Sequence, residues 1–373
     1  MASLPSSEPI TTVPLFRVFL PPASELMPAL EDVLYSGQIS IGPPVAEFEE
    51  SFAARFGLDQ VVAVSSGTAG LHLALLLAGV ERGDEVISTA MTAEPSNLAI
   101  LHAGGRIVWA DVDPRNGNIS PASVREQLTP RTKAIVAVDY GGVPVDLAEL
   151  GAIAREHGIP LIEDAAHALG ARYDGLPVGA HADFTVFSLQ AIKHMTTVDG
   201  GVLVCRERAD FERAKLLRWF GIERDRSRTE VDVVEVGFKY NMNNVTATIG
   251  LVSLQHIAGA IARHVDNGRF FDVALQGIGG LETCTWDARA EPSYWFYTLL
   301  ADRRDDLISH LEANGVAAAL VHPRNDSHTV FAASARPLRE LDSFSQRYLH
   351  IPCGWWVRDD DRERIVELIR EGW

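Results

Sequence analysis

Cysteine is scarce in this sequence, and its spacing indicates neither a disulfide framework nor a metal cluster. Among 373 residues there are three cysteines, Cys205, Cys284 and Cys353, and no two of them form a CxxC pair. Disulfide-dependent secreted proteins carry more cysteines at closer spacing, and structural zinc sites gather cysteines in short motifs. We therefore expect free thiols in a reducing compartment and no bound metal.

Positive charge is also in short supply, since 33 Lys and Arg residues stand against 50 Asp and Glu residues, a formal net charge of −17. A field of that sign repels nucleic acid and anionic membranes, so neither is an expected partner. The first dozen residues lack the basic and apolar stretches of a secretory signal, and no apolar run is long enough to cross a bilayer. The expected location is the cytoplasm.

Seven apolar, strand-like segments alternate with helical segments through the first half of the chain. Continuous apolar strands linked by helices are typical of a mainly parallel sheet that is covered on both faces. Only a loop separates the last two segments, which also allows the last one to run antiparallel. The segments are VVAVSS, DEVIST, RIVWADV, KAIVAVDY, PLIEDA, FTVFSL and GGVLVC.

The pattern changes near residue 254, where a long helical segment leads into a mixture of strands and helices. With 47% hydrophobic residues, the chain is long enough to bury a large core, and its length predicts two domains. We expect a large α/β domain over residues 1–253, beginning with a flexible segment at residues 1–13. A small α+β domain over residues 254–373 would follow it.

The first predicted strand leads into SSGTAGLHLALLLAG, in which a turn of small residues precedes an apolar helix. Free amides and the positive end of the helix dipole favour an anion at such a place, commonly a phosphate. Gly67 allows close approach of the backbone, and Thr68 supplies a hydroxyl donor. Considered alone, this segment is more simply interpreted as a plain helix cap, with the phosphate site as the alternative.

Asp164 ends the apolar strand PLIEDA, and ligand-binding residues gather at the carboxyl ends of strands in open α/β sheets. A carboxylate there suits a metal ion, a ribose or a protonated ring nitrogen, although it also suits a helix cap. His167 follows three residues later and would lie on the same side if a helix begins here. A single histidine is more often structural than functional.

The loop between FTVFS and GVLV contains one lysine, Lys193, between two strands with a buried pattern. Burial or nearby positive charge lowers the pKa of a lysine from its usual value of about 10.4 and makes the amine nucleophilic. Ser188 ends the first of these strands and could add a phosphate contact. Considered alone, a lysine that extends to solvent is the simpler interpretation.

Together, these three sites supply the parts of a pyridoxal phosphate site. The lysine forms a Schiff base, the acid keeps the pyridine nitrogen protonated, and amides and hydroxyls hold the phosphate. Because the three sites follow one another along a single predicted sheet, the combination indicates this cofactor more strongly than any one of them.

The motifs resemble those of the sugar aminotransferases of the DegT/StrS group, which are fold type I pyridoxal phosphate enzymes. The resemblance runs from about Pro14 to the C-terminus and rests on five segments in the same order. They are SGQISIGPPVAEFEESFAARFG, SSGTAGLHLALLLAGVERGDEVI, IEDAAHALGA, FSLQAIKHMTTVDGG and GFKYNMNNVTATIG.

The resemblance implies roles for individual residues. Lys193 would form the Schiff base and move protons, Asp164 would pair with the pyridine nitrogen, and His167 would contact the ring hydroxyl. The cofactor phosphate would be held by four residues, Ser66, Gly67, Thr68 and Ser188.

Further implied roles concern the partner subunit and the substrate. Asn241 would reach the phosphate of the partner subunit in a homodimer with shared active sites, and His322 and His328 would lie near the sugar. Many members place an aromatic residue over the cofactor ring, whereas the residues aligned with that position here are Ala93 or Met91.

The implied activity is transamination of a keto group on a nucleotide-linked deoxysugar, a keto-6-deoxyhexose, in amino-sugar biosynthesis with glutamate as the amino donor. Relatives that dehydrate sugars carry histidine in place of the lysine, so dehydration is disfavoured. The main alternative is a keto-cyclitol aminotransferase of an aminoglycoside-type pathway. A scaffold without activity and a nucleotide-binding module are further alternatives, but SSGTAG lacks the GxGxxG pattern expected of the latter.

Overall fold

The computed structural model describes residues 12–223, 227 and 229–373, so most of the predicted flexible segment lies outside the described residues. Val13 is buried, and its backbone N–H donates to Gly315 O at 2.8 Å. The chain is therefore tied to the C-terminal part of the fold before its first helix begins.

The described residues form eleven α-helices, most of which bury an apolar stripe against a sheet or another helix. Nearly all of them lie where helical periodicity predicts a helix. They are α1 (Ala23–Tyr35), α2 (Pro43–Phe56), α3 (Gly67–Leu77), α4 (Glu94–His102), α5 (Pro121–Gln127), α6 (Leu147–His157), α7 (Arg208–Leu217), α8 (Asn244–Ala274), α9 (Arg304–Ala313), α10 (Arg339–Arg347) and α11 (Asp359–Glu371).

A central sheet of seven strands organises the described residues up to residue 205. In their order across the sheet the strands are β1 (Val61–Val64), β9 (Gly201–Cys205), β8 (Phe184–Ser188), β5 (Leu161–Asp164), β4 (Thr132–Val138), β2 (Glu85–Thr89) and β3 (Arg106–Ala110). Strand β9 lies between β1 and β8 and is antiparallel to both, whereas the remaining neighbours are parallel. The mainly parallel sheet and the antiparallel GGVLVC strand are both confirmed.

Helices cover both faces of this sheet, which explains the unbroken apolar runs in the sequence. On β4, Val136 packs into the core that contains α3 and α4, whereas Ile135 and Ala137 pack with α5 and α6 on the opposite face. Every residue of β9, GVLVC, is buried. Strands enclosed on two faces need apolar side chains at every position rather than at alternate ones.

Two small sheets complete the fold. The first contains β6 (Arg172–Tyr173), β7 (Leu176–Pro177) and β11 (Ala290–Glu291), and the second contains β10 (Leu281–Thr283), β12 (Tyr297–Ala301) and β13 (Tyr348–Ile351). The second sheet packs with α9 and α11 around a separate apolar core that includes Leu299, Leu307, Leu349 and Ile365.

Helix α8 continues without interruption through residue 253, the position at which the sequence places a domain boundary. The division into two domains therefore stays a prediction. Among the described helices, α8 alone has the length and apolar content of a membrane-spanning segment, but half of its most apolar stretch is buried within the fold. That burial is typical of a core helix, so the apolar content is weak evidence for a membrane.

Candidate active site

A cavity of about 320 Å³ lies where the parallel strands of the central sheet end. Residues at or just after the carboxyl ends of four strands line it, namely Ser66 after β1, Val138 of β4, Asp164 of β5 and Ser188 of β8. This edge is where open α/β sheets bind their ligands, because the loops after parallel strands gather there.

Lys193 lines the cavity from the loop between β8 and β9. Its Nζ atom lies 3.8 Å from the centroid of the Trp295 ring. Burial lowers the pKa of Lys193 to about 7, although the carboxylate of Asp164 acts in the opposite direction. A large fraction of the amine is therefore unprotonated at neutral pH and able to act as a nucleophile or base.

Asp164 is buried at the end of β5, and both of its carboxyl oxygens accept hydrogen bonds. Ser96 Oγ donates to Oδ2 at 2.6 Å, and the backbone N–H of Ala166 donates to Oδ1 at 3.1 Å. Burial raises the pKa of Asp164, while these hydrogen bonds and Lys193 counteract the rise. Two donors thus stabilise the ionised form of this buried carboxyl group, which suits it to pair with a cationic ring nitrogen.

His167 belongs to a column of rings along one wall of the cavity. Its ring lies 4.0 Å from Trp295 at 22° and 5.3 Å from His322 at 3°, and Phe16 stacks on Trp295 at 4.7 Å. Burial lowers the pKa of His167 well below its usual value and that of His322 to about 3. Both imidazoles are therefore neutral and can each offer one N–H donor and one acceptor.

The predicted phosphate residues Ser66, Gly67, Thr68 and Ser188 all line this cavity. Ser66 Oγ also caps α3 by accepting from Ala69 N at 3.0 Å, so the helix cap and the anion site coexist. The cradle is tight, because a Cβ atom on Gly201 would lie 2.6 Å from the backbone carbon of Ser66. An amine, an acid and a helix N-terminus thus meet in one cavity, as pyridoxal phosphate requires.

Three residues of the predicted set lie outside this cavity, and one of them, Asn241, is predicted to reach the partner subunit's site instead. Asn241 lines a separate open cavity of about 600 Å³, which shares Asp199 with the first. His328 lies outside the lining, with its Nε2 atom 3.4 Å from Glu94 Oε1. Met91 is completely buried in the core, whereas Ala93, the alternative for the ring-stacking position, lines the cavity.

Sequence reasoning missed two residues that shape the site. Ser96, which donates to Asp164, lies in the first turn of α4, and nothing in EPSNLAILHAG distinguishes it from an ordinary helix residue. Trp295 falls in SYWFYTLLA, where the apolar pattern predicts only a strand. Its indole N–H donates to Ile192 O at 2.8 Å, which fixes the ring beside the lysine loop.

The part of the chain that the structure describes contains no group of three or more His, Cys, Asp or Glu side chains arranged to hold a metal ion. The three cysteines are buried and unpaired.

Comparison with known proteins shows which family this chain belongs to. The DegT/DnrJ/EryC1/StrS aminotransferase family matches residues 22–370. The chain is 30% identical to the UDP-4-amino-4-deoxy-L-arabinose–oxoglutarate aminotransferase of Shewanella sediminis, over 92% of this chain and 94% of that protein. Similar solved structures include the sugar aminotransferase CalS13 from Micromonospora echinospora, with 38% identity, a TM-score of 0.94 and coverage of 97% of this chain and 100% of that one. AtS13 from Actinomadura melliaura shows 41% identity, a TM-score of 0.93 and coverage of 97% and 99%.

The predicted cofactor and fold agree with this match, since aminotransferases of this family depend on pyridoxal phosphate and share the fold type I architecture. The chain therefore belongs to the DegT/DnrJ/EryC1/StrS aminotransferase family, and it is a pyridoxal phosphate-dependent aminotransferase with the fold of the known sugar aminotransferases.

Proposed function

We propose that this enzyme transfers the amino group of glutamate to the keto group of a nucleotide-linked deoxysugar, a keto-6-deoxyhexose. The observation that carries the proposal is that Lys193 and Asp164 line one cavity together with the phosphate cradle at the start of α3. The similarity to sugar aminotransferases supports a sugar as the amino acceptor.

When bound, pyridoxal phosphate supplies an electron sink that makes the carbon–hydrogen bond next to the substrate nitrogen acidic. Lys193 would act there as the base that removes the proton from glutamate and the acid that delivers a proton to the sugar carbon. Its pKa of about 7 suits both the removal and the delivery of the proton, since proton transfer is most efficient when the catalytic pKa lies near the working pH. Asp164 would hold the positive ring nitrogen, and Ser96 keeps that carboxylate oriented.

The proposed assembly is a homodimer in which each subunit completes the site of the other. Among the described residues that line the cavity, Lys193 is the single cation, so a phosphate and the donor's carboxylates need further partners. Asn241 lies in the neighbouring open cavity, whose wall includes Ile39 and Val198, exposed by 51% and 57%. Exposed apolar side chains around a cavity next to the site support coverage by a second copy, which would bring Asn241 toward the partner's phosphate.

We place the reaction in the cytoplasm, and the three buried free thiols support a reducing compartment. His322 is proposed to contact the sugar, because it lines the cavity beside His167. His328 is proposed to act at the rim, since its neighbour Glu94 adjoins the lining residues Ala93 and Pro95.

The visible absorbance of the purified holoenzyme tests the proposed reaction. Glutamate should abolish the band of the lysine-bound cofactor, and a nucleotide-linked keto-deoxysugar should restore it. Restoration by a keto-cyclitol but by none of the nucleotide sugars would establish the cyclitol activity instead. Competition by free TDP or GDP gives an independent check, because only a nucleotide-linked substrate requires a nucleotide-binding surface.

A further inference from the structure

Asn325 ties the segment at residues 322–328 to the turn that follows β2. Its side chain is completely buried, and its backbone N–H donates to Ala90 O at 2.8 Å. Its side-chain amide donates to Thr92 O at 2.7 Å, and its side-chain oxygen accepts from Asn97 Nδ2 at 2.8 Å. Both of these side-chain hydrogen bonds thus connect Asn325 with α4 and the preceding turn, which form one wall of the cavity.

The orientation of the two asparagine amides follows from their other partners. Ser88 Oγ donates to Asn97 Oδ1 at 2.7 Å, and Asn97 Nδ2 also donates to Thr89 O at 3.0 Å. Asn97 must therefore present its NH₂ group to Asn325, which must in turn present its own NH₂ group to Thr92. Both amides lie in the core without exposure to water, so this network has a single satisfied arrangement.

The same network reaches the acid of the cofactor site. Thr92 Oγ1 lies 2.9 Å from Ser96 Oγ, and Ser96 donates to Asp164 at 2.6 Å. Because the Ser96 proton is engaged by the carboxylate, Thr92 is the donor to Ser96. A continuous series of buried hydrogen bonds therefore connects the acid of the site with the 322–328 segment.

His322 is the first residue of that segment and lines the cavity. Its ring lies parallel to that of His167, and its backbone oxygen accepts from Tyr348 Oη at 2.8 Å. Its buried Nε2 atom has no hydrogen-bond partner within the described part of the chain. A buried imidazole nitrogen without a partner is available to a ligand in the cavity.

We propose that Asn325 is a positioning residue that holds His322 at the cavity wall, and that it governs binding of the amino acceptor without governing binding of the amino donor. This inference rests on the proposed function, since it assumes that the acceptor is the keto-sugar contacted by His322. Asn325, the asparagine of VHPRNDSH, would act on the substrate through His322 and would not contact the substrate itself.

Hydrogen exchange of the holoenzyme tests the positioning role without any sugar substrate. Asn325→Ala should speed amide exchange roughly tenfold or more in residues 90–97 and 320–328, because it leaves buried partners unsatisfied. Asn267→Ala is the matched control, since Asn267 is also fully buried and donates to Gly354 O at 3.0 Å. Unchanged exchange at 320–328 in Asn325→Ala, or equal loosening there in the control, would overturn the proposal.

Steady-state kinetics then separate positioning from general stability. Asn325→Ala should raise KM for the keto-sugar roughly tenfold while leaving KM for glutamate within about twofold. Asn325→Leu should behave in the same way, because its side chain keeps most of the volume but can neither donate to the Thr92 carbonyl nor accept from Asn97. Equal rises in both KM values would contradict the inference. If the wild-type enzyme aminates no nucleotide-linked keto-sugar, the proposed function fails, whereas the exchange experiment still decides whether Asn325 fixes the segment.

Discussion

The Nζ atom of Lys193 lies 3.8 Å from the centre of the Trp295 ring, and the indole N–H of Trp295 donates to the residue that precedes the lysine, Ile192. The ring is therefore fixed by the loop whose amine it contacts. An aromatic face attracts an ammonium ion, whereas burial disfavours its charge. Burial dominates here, since the pKa of Lys193 falls to about 7.

This lowered pKa predicts how the cofactor-free enzyme takes up pyridoxal phosphate. Only the unprotonated amine attacks the aldehyde, so the rate should rise with pH and level off above about pH 7. An ordinary lysine would give a rise that continues toward its pKa of about 10.4. The rate is followed by the growth of visible absorbance, and a rise that continues to pH 10 would contradict the buried environment.

Lys193→Ala should give a folded protein whose turnover is lower by about 10³-fold or more, because one residue supplies both the covalent attachment and the proton transfer. When both proteins are free of cofactor, its thermal unfolding should occur at or above the wild-type temperature, since a poorly solvated amine is removed. Lys215→Ala serves as the control, because Lys215 is exposed and pairs only loosely with Glu212 at 3.5 Å. Comparable activity in the two variants would refute the assignment of Lys193.

Asp164→Asn keeps an acceptor for Ser96 and removes the negative charge. Loss of one partner from a buried ion pair costs about 3–5 kcal/mol, so turnover should fall between about 10²-fold and several thousandfold. Asp146→Asn is the comparison, because Asp146 accepts from Tyr173 Oη at 2.8 Å and does not line the cavity. Turnover per active site, with cofactor content measured by absorbance, distinguishes lost chemistry from lost cofactor.

Ala93→Phe should strengthen cofactor binding if Ala93 faces the cofactor ring, since it adds an aromatic face to a residue that lines the cavity. Stacked aromatic pairs contribute about 1 kcal/mol beyond their buried area, which corresponds to roughly fivefold slower release. Ala93→Leu adds an apolar side chain without a ring and is the matched control. The cofactor retained by each variant is measured after dialysis against a scavenger of free cofactor. Equal retention of cofactor in the two variants would show that residue 93 does not face the ring.

Gly201→Ala should weaken both the fold and the phosphate cradle. Its Cβ atom would lie 2.6 Å from the backbone carbon of Ser66 and 2.7 Å from Gly67 N, and such overpacking costs about 1–3 kcal/mol. Gly259 lies inside α8 with nothing within 4 Å of an added Cβ, so Gly259→Ala should instead stabilise the helix by about 1 kcal/mol. Unfolding in denaturant measures both variants, and destabilisation by both would show that the clash at Gly201 is not the cause.

The features predicted correctly from the sequence are those encoded within one strand and the loop after it. Continuous apolar runs reveal strands buried on both faces, and a polar residue at the end of such a run, as at Asp164 or Ser188, stands out against them. Lys193 stands out for the same reason, as the lysine of a loop flanked by apolar strands. Such local contrasts place side chains at the correct edge of the sheet without knowledge of the tertiary fold.

The features that sequence reasoning missed depend on contacts between distant segments. Asn97 bonds to Asn325 across 228 positions, and Trp295 donates to a residue 103 positions earlier. No periodicity specifies such pairs, because each partner alone resembles an ordinary polar or apolar residue. The burial of Met91 and the place of Ala93 at the cavity likewise needed coordinates, since the turn after β2 follows no regular alternation.

The position of β9 between β1 and β8 also constrains how the enzyme is made. About 140 residues separate the end of β1 from β9, which is the neighbouring strand of β1 among the described residues. At about 5–20 residues per second, ribosomes need roughly 7–28 s to add that length. During this time β9, the hydrogen-bonding partner of β1, has not yet been synthesised. Gly201 of β9 also backs the Ser66–Gly67 turn, so the nascent chain can first capture its cofactor only after residue 205 has left the ribosome. Completion of the cofactor site is thus a late event in synthesis, because Trp295 and His322, which also line the cavity, follow β9 in the chain, and until β9 is made the edge of β1 stays open to pairing with other strands.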